Sequence, residues 1–317
     1  MVTTEIVQAC YRAILGRDPE SDLVVAEKLD QYDSIEALIR EFLASEEFQG
    51  ISRNPVGSGY FRKPHRVDVQ VGPMELGELF ARTQKQWGHL GQVEPFWSVL
   101  THEEFRMDKI DGASLERFFA SSEQDAGLIN LFCERNDVSI QRGVCLEFGC
   151  GVGRMTRHLA ARFDRVIGVD ISEGNLTQCR NMLIENHIEN VELILLKKAQ
   201  DINKIGHFDV LFSVMVLQHN PPPVQAFQLE GLLGKIGAGG GFLFQTQTSL
   251  PGYSFDLSAY LGSPIDVMDM HCLPMRYIYD IIRKCGLRLC EVAADHWTGS
   301  PGSYTFFGTA NELGAKL

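Results

Sequence analysis

The chain has 317 residues, 44% hydrophobic and 22% charged, with a formal net charge of −12. That length holds one large domain plus a small one, and the balance is that of a chain that buries a core. The acidic excess, with no basic stripe beyond the pair Lys197-Lys198, excludes nucleic acid as the default ligand, because binding phosphates needs a basic footprint.

Residues 1–8 carry neither a basic start nor an apolar signal core, and the longest apolar run, near residues 210–217, is too short to span a bilayer; a cytoplasmic protein with no membrane span is expected. Residues 1–50 read as a small helical domain. Thr3 or Thr4 caps a helix with Ile6, Cys10 and Ile14 inside, Gly16 ends it, and Asp18-Pro19 restarts the chain as N-cap and first-turn proline. Ser34 opens a further helix with Ile35, Leu38, Ile39 and Phe42 inside. The words Tyr11-Arg12-Ala13-Ile14-Leu15-Gly16-Arg17-Asp18-Pro19 and Phe42-Leu43-Ala44-Ser45-Glu46-Glu47-Phe48 resemble a small bacterial helical domain, similar to phycobilisome linker repeats, that accompanies enzymes of surface glycan assembly. No His, Cys or acid cluster there has ligand or nucleophile spacing, so a protein partner is expected for residues 1–50 rather than catalysis. Gly57-Ser58-Gly59 marks 51–64 as a linker.

Residues 65–130 read as a helical, aromatic cap over the segment that follows. Leu76, Leu79 and Phe80 lead to Trp87 and then to Pro95-Phe96-Trp97. The two tryptophans either pack this cap onto a sheet or bring one ring into a pocket.

Residues 131–317 alternate strand and helix patterns, the mark of a doubly wound α/β sheet. The run Val144-Cys145-Leu146-Glu147-Phe148-Gly149-Cys150-Gly151-Val152-Gly153-Arg154 is a buried strand and a glycine turn, residues 155–163 have helical spacing with Leu159 inside, and Val166-Ile167-Gly168-Val169 is a second strand ending in Asp170. Arg154 stands where a dinucleotide fingerprint needs its third small residue, so the loop is not built for a pyrophosphate. The form is an acid, then G-x-G-x-G, then an acid closing the next strand. It resembles the class I S-adenosylmethionine-dependent methyltransferases. Phe208-Asp209-Val210-Leu211-Phe212-Ser213 looks like that family's fourth strand, Gly239-Gly240-Gly241-Phe242-Leu243-Phe244-Gln245 like its turn and fifth strand, and Met270-His271-Cys272-Leu273-Pro274 like the approach to its last helix. The resemblance implies a seven-stranded Rossmann-like sheet whose last strand is antiparallel, and S-adenosylmethionine as cofactor. There is one departure: the family's acid after the third strand is absent from Lys197-Lys198-Ala199-Gln200, which leaves the backbone at Ala199 to meet the adenine.

Carried over residue by residue, the resemblance places Glu147, Gly149, Cys150, Gly151, Gly153, Arg154, Asp170, Ile171, Ala199, Ser213 and Met215 against the cofactor. Asp170 suits ribose hydroxyls and Glu147 an amino group; Arg154 either pairs with the methionyl carboxylate or faces solvent. His219, just past the fourth strand, is the candidate general base, with helix capping as its alternative role. Gln245, Tyr253 and His271 are candidate acceptor contacts, and residues 248–270, longer than an ordinary connection, are expected to shape that pocket. Asn220-Pro221-Pro222-Pro223 lies too far past Asp209 and lacks the fourth-position aromatic of amino-methylating enzymes that act on DNA and protein. His187, His207 and His296 have no ligand spacing, so no metal is expected, and the eight cysteines, without a C-x-x-C pair, read as reduced core thiols. The function expected is O-methylation of a sugar hydroxyl or another small or glycan-linked acceptor. N-methylation of a small amine, or cofactor binding without turnover in an interaction protein, are the alternatives.

Overall fold

A computed structural model describes residues 2–15, 17–45, 47–48, 66–265, 268–295 and 297–310. Gly16, the Gly57-Ser58-Gly59 linker and His296 lie outside the described residues. The chain divides into two compact units, Met1–Pro64 and His65–Leu317.

In the first unit, α1 (Thr4–Cys10) is capped by the Thr3 hydroxyl, a single wide turn follows at Tyr11–Leu15, and α2 (Asp22–Gln31) and α3 (Ile35–Ala44) start from the hydroxyl caps of Ser21 and Ser34. Ser21, not Asp18, is the second cap, because the Asp18 carboxylate is taken by Arg12 Nε at 2.6 Å. The wide turn adds a residue to the helical repeat and moves the inner face, so Val7, Cys10, Tyr11 and Leu15 are buried while Ile6 and Ile14 are only half-buried. Leu38 and Phe42 close this core, with the Phe42 ring 4.8 Å from Tyr11 edge to face. Ile35 and Ile39 are exposed instead, the core among the described residues covering only the Leu38 and Phe42 stripe of α3.

The second unit opens with helices α4 (Pro73–Val93), α5 (Pro95–Val99), α6 (Gly112–Ala120), α7 (Glu123–Ala126) and α8 (Leu128–Arg135). Its sheet has the order β3-β2-β1-β4-β5-β7-β6. The strands are β1 (Val144–Phe148), β2 (Arg165–Asp170), β3 (Val191–Leu195), β4 (Phe208–Ser213), β5 (Ile236–Gln247), β6 (Leu287–Ala294) and β7 (Ser303–Ala310). The first five are parallel, and β7 runs antiparallel between β5 and β6. Helices α9 (Thr156–Ala160), α10 (Glu173–Glu185), α11 (Pro222–Leu233), α12 (Leu257–Gly262) and α13 (Met275–Lys284) complete the unit. Both faces of the sheet are covered. Cys145, Val166, Val210 and Phe212 point into one apolar layer and Leu146, Ile167 and Leu211 into the other, which is why these strands read as unbroken apolar runs. β5 starts at Ile236, before the glycines expected to form its turn. A bulge opposite residues 208–210 absorbs them, and a Cβ on Gly240 would fall 2.1 Å from the Asp209 carbonyl. Among the described residues no helix is long and apolar enough to cross a membrane.

Because the first unit closes a core of its own, its removal is expected to leave the second intact. A chain beginning at residue 65 should bind S-adenosylhomocysteine, measured by calorimetry, with the affinity of the full chain. A folded truncation that had lost this binding would place the first unit inside the binding domain.

Candidate active site

A cleft of about 520 Å³ opens at the carboxyl ends of β1, β2 and β4, the position at which open α/β sheets take ligands. At one end lie the two strand-terminal acids. Asp170 is buried, its Oδ2 accepting from the Gly151 N–H and its Oδ1 from the Ser172 N–H, each at 2.8 Å. Burial pushes its carboxyl up, and these backbone donors oppose that shift. Glu147 is 4% exposed, and the Thr156 hydroxyl donates to it at 2.6 Å. Burial, helped by the charge of Asp170, raises its pKa to about 8.

The glycine loop is shaped by close approach. Gly149 has φ +80°, and a Cβ there would fall 2.3 Å from Val216; Gly153, at φ +89°, packs so tightly on α10 that a Cβ would fall 2.5 Å from Met182. Gly149, Cys150 and Gly151 line the cleft, as do Ile171 and Met215, whereas Gly153 serves the packing of the loop. Arg154 also lines the cleft and does not face solvent. It is 8% exposed and holds Asp125 at 3.3 Å and the Ser121 hydroxyl at 3.0 Å, while burial pushes its pKa down.

Besides Gly153, two expected cofactor contacts lie elsewhere. Ala199 is buried in the core, and the acid nearest to it, Asp201, spends Oδ2 on the Lys197 and Lys198 N–H groups; Leu196 lines the cleft at the end of β3 in its place. Ser213 turns its hydroxyl to the Phe148 carbonyl at 2.9 Å, fastening β4 to β1 behind the cleft wall.

His219 lines the cleft past the end of β4. Its Nδ1 lies 3.2 Å from the Asp269 carbonyl, and Gln218 Nε2, a donor, lies 3.5 Å from its Nε2. These neighbours assign the proton to Nδ1 and the lone pair to Nε2. Burial pushes its pKa down to about 4, so the ring is neutral near pH 7. The Trp87 ring lies 4.9 Å from the His219 ring and lines the same cleft; Trp97 does not line it and carries the Arg106 guanidinium 4.2 Å from its ring centre.

None of the three expected acceptor contacts lines the cleft. Gln245 is fully buried, with Oε1 accepting from the Met215 N–H at 2.9 Å and Nε2 donating to Ser303 Oγ at 2.8 Å. His271 is enclosed by Tyr253, Phe255 and Tyr260, with Nδ1 3.2 Å from the Tyr253 hydroxyl, and burial lowers its pKa to about 4. The neighbouring Met268 and Met270 reach the cleft instead, as do Asn220, Gln228, Trp297 and Thr298. For Met268 and Met270 the sequence signal is the unusual length of residues 248–270. Among the described residues no group of His, Cys, Asp and Glu could hold a metal ion.

Residues 145–231 match the family described as "Methyltransferase domain". The ubiquinone biosynthesis O-methyltransferase of Nitrosococcus oceani is 30% identical over 184 residues, 58% of this chain and 65% of that protein. The chain thus spans slightly under two thirds of that relative's length. The enzyme of the same name from Acinetobacter baylyi is 27% identical over 242 residues, 72% of this chain and 87% of that protein. Among solved structures, magnesium protoporphyrin IX methyltransferase from Synechocystis, with S-adenosylhomocysteine bound, shares the fold at a TM-score of 0.50 and 14% identity, over 72% of this chain and 100% of that one. Neither a glycan-assembly role for residues 1–50 nor a sugar acceptor finds support among these relatives. Over residues 145–231 the chain is thus similar to the methyltransferase-domain family, on a fold shared with a methyltransferase that binds S-adenosylhomocysteine.

Proposed function

We propose that this domain methylates a hydroxyl of a small acceptor, with His219 taking the hydroxyl proton. The observation that carries the reading is a neutral imidazole, tautomerically fixed by the Asp269 carbonyl, in the same cleft as Glu147 and Asp170. The cofactor's fit rests on those two acids. Glu147 is a buried carboxyl hydrogen-bonded to a hydroxyl, with the charge of Arg154, itself ion-paired to Asp125, favouring its ionised form, an environment an α-ammonium group would complete. Asp170 keeps a second lone pair on each oxygen after its backbone bonds, enough to accept from ribose hydroxyls. When bound, S-adenosylmethionine supplies an electrophilic methyl group on a sulfonium. The protein aligns the acceptor and excludes water with Trp87, Met215, Met268, Met270 and Trp297, whose apolar surfaces favour an acceptor with a flat apolar face beside its hydroxyl. The relatives' names support oxygen rather than nitrogen as the nucleophile. No observation favours a sugar over other hydroxyl compounds. In the same reading the first unit, with its own core, recruits a protein partner.

Two measurements test the cofactor end. Glu147, with its carboxyl raised to about 8, is largely protonated in the free protein at pH 7 and ionises beside an ammonium group. Binding of S-adenosylhomocysteine should therefore release a proton, read as a buffer-dependent calorimetric heat, and tighten as pH rises toward that value. Glu147→Gln should abolish the release. Asp170→Ala should weaken binding by about 1.5 to 3 kcal/mol, the scale of hydrogen bonds to a charged group.

At the other end, His219→Ala should slow turnover by about 10² to 10⁴ while product affinity holds. The folded-state pKa of His219 is depressed, so its basic form persists as pH falls, and the rate should stay level below the ordinary histidine pKa of about 6.5 and decline only toward about 4. A folded His219→Ala variant with near-normal turnover would assign the chemistry to an amine acceptor that needs no base.

A further inference from the structure

The expected acceptor contact Gln245 belongs to a chain of hydrogen bonds, buried at Gln245 and partly buried toward its ends, that crosses four strands' ends. It starts at Asp295, which follows β6. Asp295 Oδ1 accepts from the Ser303 hydroxyl at 2.5 Å and from the Trp297 N–H at 3.2 Å, and its Oδ2 accepts from the Thr305 hydroxyl at 2.8 Å. With its hydrogen given to Asp295, Ser303 Oγ accepts from Gln245 Nε2 at 2.8 Å. That fixes the amide's orientation, and Gln245 Oε1 accepts from the Met215 N–H at 2.9 Å. Each donor points toward the carboxylate, an arrangement in which successive bonds polarise one another.

Both ends of this chain are cleft wall. Met215 holds φ +62°, a left-handed conformation that a non-glycine side chain adopts only under outside constraint, and His219 follows four residues later. Trp297 lines the cleft past β6. We propose that Asp295 is a positioning residue for the acceptor: through Ser303 and Gln245 it holds the Met215 turn, and through the Trp297 N–H it holds the opposite wall. It touches neither reactant. The inference rests on the methyl-transfer reading for its consequence in rate, but not for its consequence in structure.

The test uses the full-length protein labelled with methyl-¹³C methionine, the Met215 signal being assigned by Met215→Leu. Ser303→Ala and Asp295→Ala should each displace the Met215 methyl resonance and leave that of the distant Met74 in place. Each should slow turnover about ten- to a hundredfold, the cost of a small misplacement, on the best acceptor from a panel of simple phenols and free sugars. Calorimetric affinity for S-adenosylhomocysteine should change by no more than about twofold. The double variant should be no slower than the slower single, because both substitutions cut one chain. Asp295→Asn, whose Oδ1 still accepts from Ser303, should restore the resonance and most of the rate. Ser303→Cys, similar in shape but a weak partner, reports the same displacement if Ser303→Ala does not fold. A Met215 signal that stays in place, or rate losses that multiply in the double variant, would overturn the proposal. A wild-type protein that turns over no hydroxyl acceptor would sink the methyl-transfer reading and leave the resonance test standing.

Discussion

The clamp of the Asp170 carboxylate between the Gly151 and Ser172 N–H groups is the constraint on which the cleft depends. It ties the loop after β1 to the end of β2, and it satisfies an anion that would otherwise be costly to bury. The loop reaches those bonds only through left-handed glycine backbone, which also admits Val216 from the neighbouring strand end at a distance no Cβ would tolerate. Burial raises both carboxyls, and at Asp170 the backbone donors oppose that shift. Glu147 sits on the adjacent strand with a hydroxyl as partner, and its raised pKa is the consequence first of its burial and then of its acidic neighbour. One acid is thus met by two backbone donors, the other by a hydroxyl.

Across the cleft the chemistry is neutral. His219 and His271 are both pushed down to about 4, and the surrounding rings and methionines carry no charge. The strap that brings Met268 and Met270 to the site is fastened from the cap. Phe255 exchanges backbone bonds with residues 66 and 68, Asp68 accepts from the Leu257 N–H, and Arg82 donates to the Ser263 carbonyl while stacking on Tyr260. Residues 66–82 and the 248–270 segment together therefore shape the His219 end of the cleft, and strands β1 and β2 shape the end that holds the two acids. The sheet thus fixes one end of the cleft and connecting segments the other.

What was legible in the sequence follows the same division. The strand runs, glycine loop, Asp170 and Glu147 announced themselves because local periodicity and backbone conformation dictate them. His219 was legible because topology places whatever follows β4 at the cleft. Ala199 was misplaced because the short helical turn at Ala199–Lys204 folds back and caps itself through Asp201, burying the alanine. Ile6, Ile14, Ile35 and Ile39 were assigned to a core that the wide turn and the small size of the first unit shift by one face. Trp297, Met268 and Met270 carry no local signal: their neighbours Thr298, Asp269 and His271 are held by hydrogen bonds with Gln247, His219 and Gln218, far away in sequence.

Gln245 shows why such contacts resist sequence reasoning. A polar side chain at the end of an apolar strand reads as a ligand contact, since a buried amide is costly unless something meets it. Here the something is protein. Gln245 gives one end to Met215 and the other to Ser303, and Gln247, two residues along the same face of β5, accepts from the Thr298 hydroxyl and donates to the Ser249 and Pro301 carbonyls. Both amides are fully buried and spend donors and acceptors on the loops after β4, β5 and β6 beside the His219 end of the cleft. The end of β5 is therefore where the rigidity of the sheet passes into connections that have no regular structure of their own. Polar residues are required there because loop backbone, unlike a neighbouring strand, offers single N–H and carbonyl groups rather than a ladder.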